Sequence, residues 1–163
     1  MLILLAMACG TPDVSVAAEP PEAARSHCAS SDKTWYECTV KGDKVVSLCG
    51  DEKPTWLQYN FGPIGKPELI YPKEKAGIDP FGFAHETWIR SEADAIRFVN
   101  EGHVFLLVDK SCSGARGEGE MNNFQGVVVS KDAKELARLR CEGSLKGAPS
   151  ALGGMLEAVG YSE

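Results

Sequence analysis

The chain of 163 residues is 44 % hydrophobic and 25 % charged, enough apolar material for one compact domain and too much for a wholly disordered chain. A formal charge of −6 and a pI near 5.1 argue against nucleic acid as a partner, because a nucleic acid is itself a dense line of negative charge. There is no basic amphipathic helix that would lie on an anionic membrane. In chain order, residues 2–8 form an uncharged apolar run, far short of the roughly 20 residues that span a bilayer but sufficient for the core of a short signal peptide.

That run ends in Leu5-Ala6-Met7-Ala8-Cys9-Gly10, where small residues precede a cysteine, and it resembles a bacterial lipobox with Cys9 as the lipidated residue. Ala6 stands where Leu is more usual, and no Lys or Arg precedes the apolar run. Cleavage after Ala18, behind Val16-Ala17-Ala18, and an apolar start on a protein that is not exported are the competing readings. Residues 11–25, with Pro12, Pro20 and Pro21, have the composition of a flexible tether, which favours lipidation. The resemblance implies attachment to the outer membrane facing the periplasm, since Gly10 replaces the Asp that holds such lipoproteins at the inner membrane. The expected organisation is a signal segment over 1–9, a tether over 10–26 and a single β-rich domain over 27–163.

Within that domain, residues 34–41 and 44–49 are rich in β-branched and aromatic side chains around Gly42-Asp43, predicting a hairpin. Residues 56–61 alternate, with Leu57, Tyr59 and Phe61 on one face, and pair through Gly62-Pro63 with residues 68–71. A short strand is expected at 87–90. Residues 95–100 and 103–109 form a third hairpin through Glu101-Gly102, bringing Ile96 and Phe98 near Leu107 and Phe105. Residues 124–130 and 135–141 form a fourth through a polar turn at 131–134, with Ala137, Leu139 and Cys141 on one face. Ser150 is expected to cap a short helix carrying Leu152, Met155, Leu156 and Val159, covering an open barrel end. Short strands joined by tight polar turns predict a mainly β fold: an antiparallel sandwich or small barrel of about eight strands, with a short C-terminal helix and disulfide support.

Setting Cys9 aside leaves Cys28, Cys38, Cys49, Cys112 and Cys141, none with the two-residue spacing of a zinc knuckle or a dithiol redox motif. In an oxidising compartment these read as disulfides. Pairing Lys41 with Lys44 in the first hairpin puts Tyr36 opposite Cys49, so Cys38 and Cys49 are out of register with each other. The preferred pairs are Cys28 with Cys38 and Cys49 with Cys141, leaving Cys112 over, although four cysteines permit three connectivities.

No constellation that carries chemistry stands out. His27, His85 and His103 lack paired metal-ligand spacing, so no metal or cofactor is expected. Lys110-Ser111-Cys112-Ser113-Gly114 lacks the earlier glycine of a nucleophile elbow. Glu118 and Glu120 share one Gly-rich stretch, a poor scaffold for two carboxylates that must flank a glycosidic bond. What remains is two long connections, which on a rigid β-scaffold are good binding elements. Residues 72–86 carry Phe81, Phe83 and His85; residues 111–123 carry Arg116, Glu118 and Glu120. For Phe81 and Phe83 the preferred reading is that they tuck back over the core, with presentation to a partner as the alternative. Arg116 is the best single candidate for insertion into a partner's acidic cleft, because a guanidinium grips a carboxylate with two parallel hydrogen bonds; the default reading is a solvated loop arginine.

Cys28, Trp35-Tyr36-Glu37-Cys38, Lys44-Val45-Val46-Ser47-Leu48-Cys49, Leu57-Gln58-Tyr59-Asn60-Phe61-Gly62 and Pro67-Glu68-Leu69-Ile70-Tyr71-Pro72 resemble a recurring pattern in small secreted proteobacterial proteins with no assigned activity. The resemblance covers about half of the chain, implies a β-rich exported domain and carries no catalytic residue across. The expected function is therefore that of a non-enzymatic envelope protein that binds a protein partner: a periplasmic inhibitor or immunity protein against a toxin or lysozyme-like enzyme. The alternatives are an envelope hydrolase using the Cys112/Glu118 loop, and a structural envelope lipoprotein.

Overall fold

The computed structural model describes residues 26–112 and 123–161. Among them, ten strands succeed one another: β1 (Lys33–Val40), β2 (Lys44–Gly50), β3 (Leu57–Pro63), β4 (Leu69–Tyr71), β5 (Phe81–Trp88), β6 (Ser91–Asn100), β7 (His103–Cys112), β8 (Phe124–Lys131), β9 (Lys134–Gly147) and β10 (Glu157–Ala158). They form one sheet in the order β10-β5-β6-β7-β8-β9-β1-β2-β3-β4, antiparallel except at β10–β5. The fold is mainly β, as the sequence predicts. No helix among the described residues is long and apolar enough to cross a membrane.

The turns explain why hairpins dominate. Asn100 pairs with His103 and Lys131 with Lys134, leaving two-residue loops. Glu101 and Gly102 (φ 50° and 75°) and Asp132 and Ala133 (φ 51° and 59°) are left-handed, the backbone that matches the twist of the flanking strands. In the first hairpin Val40, not Lys41, faces Lys44. The loop is Lys41-Gly42-Asp43, and a bulge between Thr34 and Tyr36 brings Thr34 opposite Cys49.

Strand β9 serves two partners in succession. Lys134 to Arg140 pair with β8, whereas Cys141 to Gly147 pair with β1, so the sheet turns a corner along one long strand. The ribbon curls until its ends face each other: Tyr71 of β4 stacks on Phe98 of β6 with centroids 4.9 Å apart and meets Phe81 of β5 edge-on at 6.0 Å. Inside lie Tyr36, Leu48, Leu57, Tyr59, Phe81, Ile96, Phe98, Leu107 and Val127, all buried. The Tyr36 hydroxyl reaches across to the carbonyls of Val108 (3.1 Å) and Gly126 (3.0 Å), and burial raises its pKa.

Three expectations need correction. The connection over 72–86 ends at Pro80: Phe81, Phe83 and His85 belong to β5, whose inward positions are apolar enough to pair against β6. The short C-terminal helix is present, as a 3-10 turn over Pro149–Leu152, but Ser150 lies within it and does not cap it, Ala148 precedes it with no side-chain cap, and it stops short of Met155, Leu156 and Val159. Leu152 still plugs the barrel, fully buried. The bridges join Cys28 to Cys49 and Cys38 to Cys141. The four cysteines are those expected but the pairing differs, because Cys38 and Cys141 both point into the barrel where β1 meets β9. Cys49 points outward, where it pins the segment preceding β1.

Candidate functional site

Four strands carry their interior from apolar to polar at the same level. Along β5 the inward residues are Phe81, Phe83, His85 and Thr87; along β6, Phe98, Ile96, Asp94 and Glu92; along β7, Phe105, Leu107, Asp109 and Ser111; along β8, Val129, Val127 and Gln125. Register aligns the change: His85 faces Asp94, Asp94 faces Asp109, and Asp109 faces Gln125. The next level outward is Thr87, Glu92 and Ser111. One end of the barrel thus opens into a polar mouth.

Within it, His85 Nδ1 lies 2.7 Å from Asp94 Oδ1, and Gln125 Nε2 donates to Asp109 Oδ1 at 3.0 Å. The Ser111 hydroxyl donates to Glu92 Oε1 at 3.5 Å. Asp94 and Asp109 are like charges directly opposite each other, an arrangement that disfavours a strand pair, and each is bonded to a different neighbour. A cleft of about 310 Å³ opens at this level, lined by Thr87, Trp88, Arg90, Ser91, Glu92 and Ser111.

The rim is the β5–β6 turn, where Trp88 pairs with Ser91 and Arg90 takes a φ of 67°. Ile89 at its apex is 96 % exposed and Trp88 45 %. Lys110 Nζ stands 5.0 Å from the Trp88 ring centroid, and Tyr161 meets that ring edge-on at 6.0 Å. The β7–β8 connection leaves the same rim: the Cys112 N–H donates to Asn123 Oδ1 at 2.8 Å, tying its two roots together.

Of the residues singled out in the sequence, His85 and Cys112 lie at this mouth. Phe81 is buried against Tyr71 and Phe98, and Phe83 packs over the core beside Gly153, so neither is presented on a loop. Cys112 belongs to neither disulfide. Arg116, Glu118, Glu120 and Cys9 lie outside the described residues. Sequence reasoning missed Asp94, Asp109, Gln125 and the Trp88-Ile89 tip. A usable signal was present in the residues that alternate inward from Ile96 to Asp94 to Glu92 and from Leu107 to Asp109 to Ser111.

A second polar cluster sits on the outer face of β1 and β2. Ser26 donates to Glu37 Oε2, as does Ser47 at 3.0 Å, and Lys146 Nζ lies 3.9 Å from Glu37 Oε1. The His27 ring contacts the Gly62 carbonyl at 3.0 Å, and it is its backbone N–H that reaches Ser47 Oγ, at 3.4 Å. Ser47 is fully buried. A hydrolytic triad needs its imidazole on an accessible hydroxyl, whereas this arrangement, beside the Cys28–Cys49 bridge, clamps the entering chain onto the sheet. Among the described residues no group of three His, Cys, Asp or Glu could hold a metal ion.

No family model matches the chain, and comparison with curated proteins and with solved structures finds no match.

Proposed function

We propose that this is an exported envelope protein, lipid-anchored through Cys9 to the outer membrane and facing the periplasm. It acts by binding another protein, as an inhibitor or immunity protein against a toxin or lysozyme-like enzyme. The observation that carries the reading is the Trp88-Ile89 tip. A β-branched residue left almost wholly in water at the apex of a two-residue turn gives up about 1.5–3 kcal/mol that burial in a partner would recover. Trp is enriched among residues that dominate interface energetics. The polar mouth lies beside the tip, offering polar groups next to an apolar centre.

The test is a turbidity assay in which purified chain is titrated into lysozyme-like hydrolases acting on cell-wall suspensions. Stoichiometric inhibition is expected, weakened at least tenfold by Ile89→Asp with no loss of fold. Cell-wall clearing by the protein itself, abolished in Cys112→Ala, would replace the binding reading with the hydrolase. Inertness against such hydrolases and against a co-encoded toxin would leave the structural lipoprotein. Mass spectrometry of the mature amino terminus checks the anchor: a lipid mass on Cys9 is expected, and an unmodified start at Glu19 would remove it.

A further inference from the structure

Alternation along β5 and β6 puts Trp88, Ser91 and Ala93 on the outer face of the sheet, opposite to Thr87, Glu92 and Asp94 of the mouth. A large side chain at the end of a hairpin keeps its rotamer freedom unless something packs against it. Lys110 and Tyr161 both do. Ser91 and Ala93 on β6 are small enough for Lys110 to reach across from β7, its Nζ 5.0 Å from the Trp88 ring centroid. The Tyr161 ring meets the indole edge-on at 6.0 Å, with an interplanar angle of 87°. Tyr161 is in turn fixed well back from the tip. β10 pairs with Gly82 and Phe83, and the Val159 N–H donates to the Phe83 carbonyl at 2.9 Å. Val159 sits over Gly82, and with Tyr161 it packs on the buried outer-face cluster of Ala84, Ala95, Leu106, Val108 and Phe124. The tail is thus seated at the start of β5 and delivers an aromatic ring to Trp88 at the strand's far end.

We propose that Tyr161 is a positioning residue for the Trp88-Ile89 tip: the C-terminal tail holds Trp88, and with it the neighbouring Ile89, in the orientation a protein partner takes up. The inference rests on the protein-binding reading and names what that binding depends on besides the tip itself. A partner that buries the tip must immobilise it, and every side chain still loose at that moment costs entropy on association. With the tail seated, Trp88 is ordered before the partner arrives, although 45 % of its surface remains in water. The ordering cost then falls on folding, where the tail's apolar contacts offset it, and binding is strengthened without Tyr161 touching the partner.

The experiment runs nitrogen-15 relaxation on the full chain beside the hydrolase titration. Tyr161→Ala should lower the order parameter of the Trp88 indole N–H from the rigid range (about 0.85) to the flexible one (below about 0.6). Tyr161→Phe, which keeps the ring, should leave it high. Trp88→Phe identifies the resonance among the 3 tryptophans of the chain. In the titration Tyr161→Ala should weaken inhibition about three- to tenfold, and Tyr161→Phe should inhibit like the wild type. In a Trp88→Ala background the same Tyr161→Ala change should add no further loss, whereas a Tyr161 that contacted the partner directly would add its loss in full. Unchanged indole order in Tyr161→Ala, or losses that add, would overturn the proposal. A wild-type chain that inhibits no hydrolase, with an indole that still loosens in Tyr161→Ala, would sink the protein-binding reading and leave the tail's hold on the tip standing.

Discussion

Removing the two disulfides one at a time should have unequal effects. Cys38 and Cys141 are 103 residues apart and Cys28 and Cys49 are 21 apart. Chain entropy alone assigns about 4.7 kcal/mol to a closed loop on the order of 100 residues and about 3.3 kcal/mol to one of roughly 20. The structure widens that gap. Cys38–Cys141 ties β1 to β9 at the corner between the two halves of the sheet, so the constraint acts on the whole folded unit. Cys28–Cys49 fastens a segment that lies ahead of β1 on the outside of β2, and β1 and β2 are already paired over their full length. Losing that bridge releases the segment locally while the barrel persists, and the cost falls below the loop value. With a urea slope of about 2 kcal/mol per molar, Cys38→Ala/Cys141→Ala should lower the unfolding midpoint by about 2 M. Cys28→Ala/Cys49→Ala should lower it by clearly less than about 1.7 M. Equal shifts, or the reverse order, would refute the view that β9 joins the two halves and that the first bridge is peripheral.

Alkaline titration should reveal the buried tyrosines. Burial raises the pKa of both Tyr36 and Tyr59 above the ordinary value of 10.0. The unfolded chain therefore loses these protons first, and their stabilisation, complete below pH 10, is lost as pH rises from there toward the raised folded values. The slope should approach about 2.7 kcal/mol per pH unit for two protons, halved in Tyr59→Phe. Urea midpoints between pH 9 and 11 check it, and a flat profile would contradict it. Glycine substitutions should also separate. A Cβ at Gly147 (φ 78°) would fall 2.2 Å from the Trp35 carbonyl oxygen, whereas at Gly42 (φ 84°) it would meet nothing within 4 Å. Gly42→Ala should cost about 1–2 kcal/mol from backbone strain alone. Gly147→Ala should cost at least about 3 kcal/mol, because the β1–β9 junction must also part. Thermal melts of the two variants suffice, and similar Tm values would count against the close approach.

The hairpins were legible because Glu101-Gly102 and the 131–134 turn announce themselves between alternating segments. Strand β5 was hidden. Its glycine-rich start and charged end look like a loop, and its turn at Ile89-Arg90 contains none of the residues that usually mark one; the left-handed backbone falls on an arginine. Without β5 the level shared by His85, Asp94, Asp109 and Gln125 could not be drawn, since each residue is unremarkable on its own strand. The disulfide partners were obscured by a different cause. A one-residue change in the first hairpin's loop reverses which side chains face inward, and only the curl of the whole ribbon brings Cys141 to Cys38. The terminal helix was legible but its length was not, because Leu152, Leu156 and Val159 follow a helical spacing, yet Leu152 and Leu156 go to the barrel interior and Val159 to the outer face of the sheet. Leu152 fills the barrel and Val159 lies against Gly82 of β5.

That last contact bears on how the molecule keeps to itself. A sheet with two ends presents two rows of backbone groups able to recruit another chain. Here β4 is only three residues long. The other margin, β5, is occupied at Gly82 and Phe83 by β10, with the Val159 N–H donating to the Phe83 carbonyl at 2.9 Å, and Tyr161 closes down on Trp88 beyond it. The cover depends on Gly82, where a Cβ would meet the Val159 methyls at 2.6 and 2.7 Å. Any larger residue would lift the tail and open a template for strand-by-strand assembly. Gly82 thus acts at a distance from every binding surface: it keeps a ribbon of ten strands from acquiring an eleventh from its neighbour.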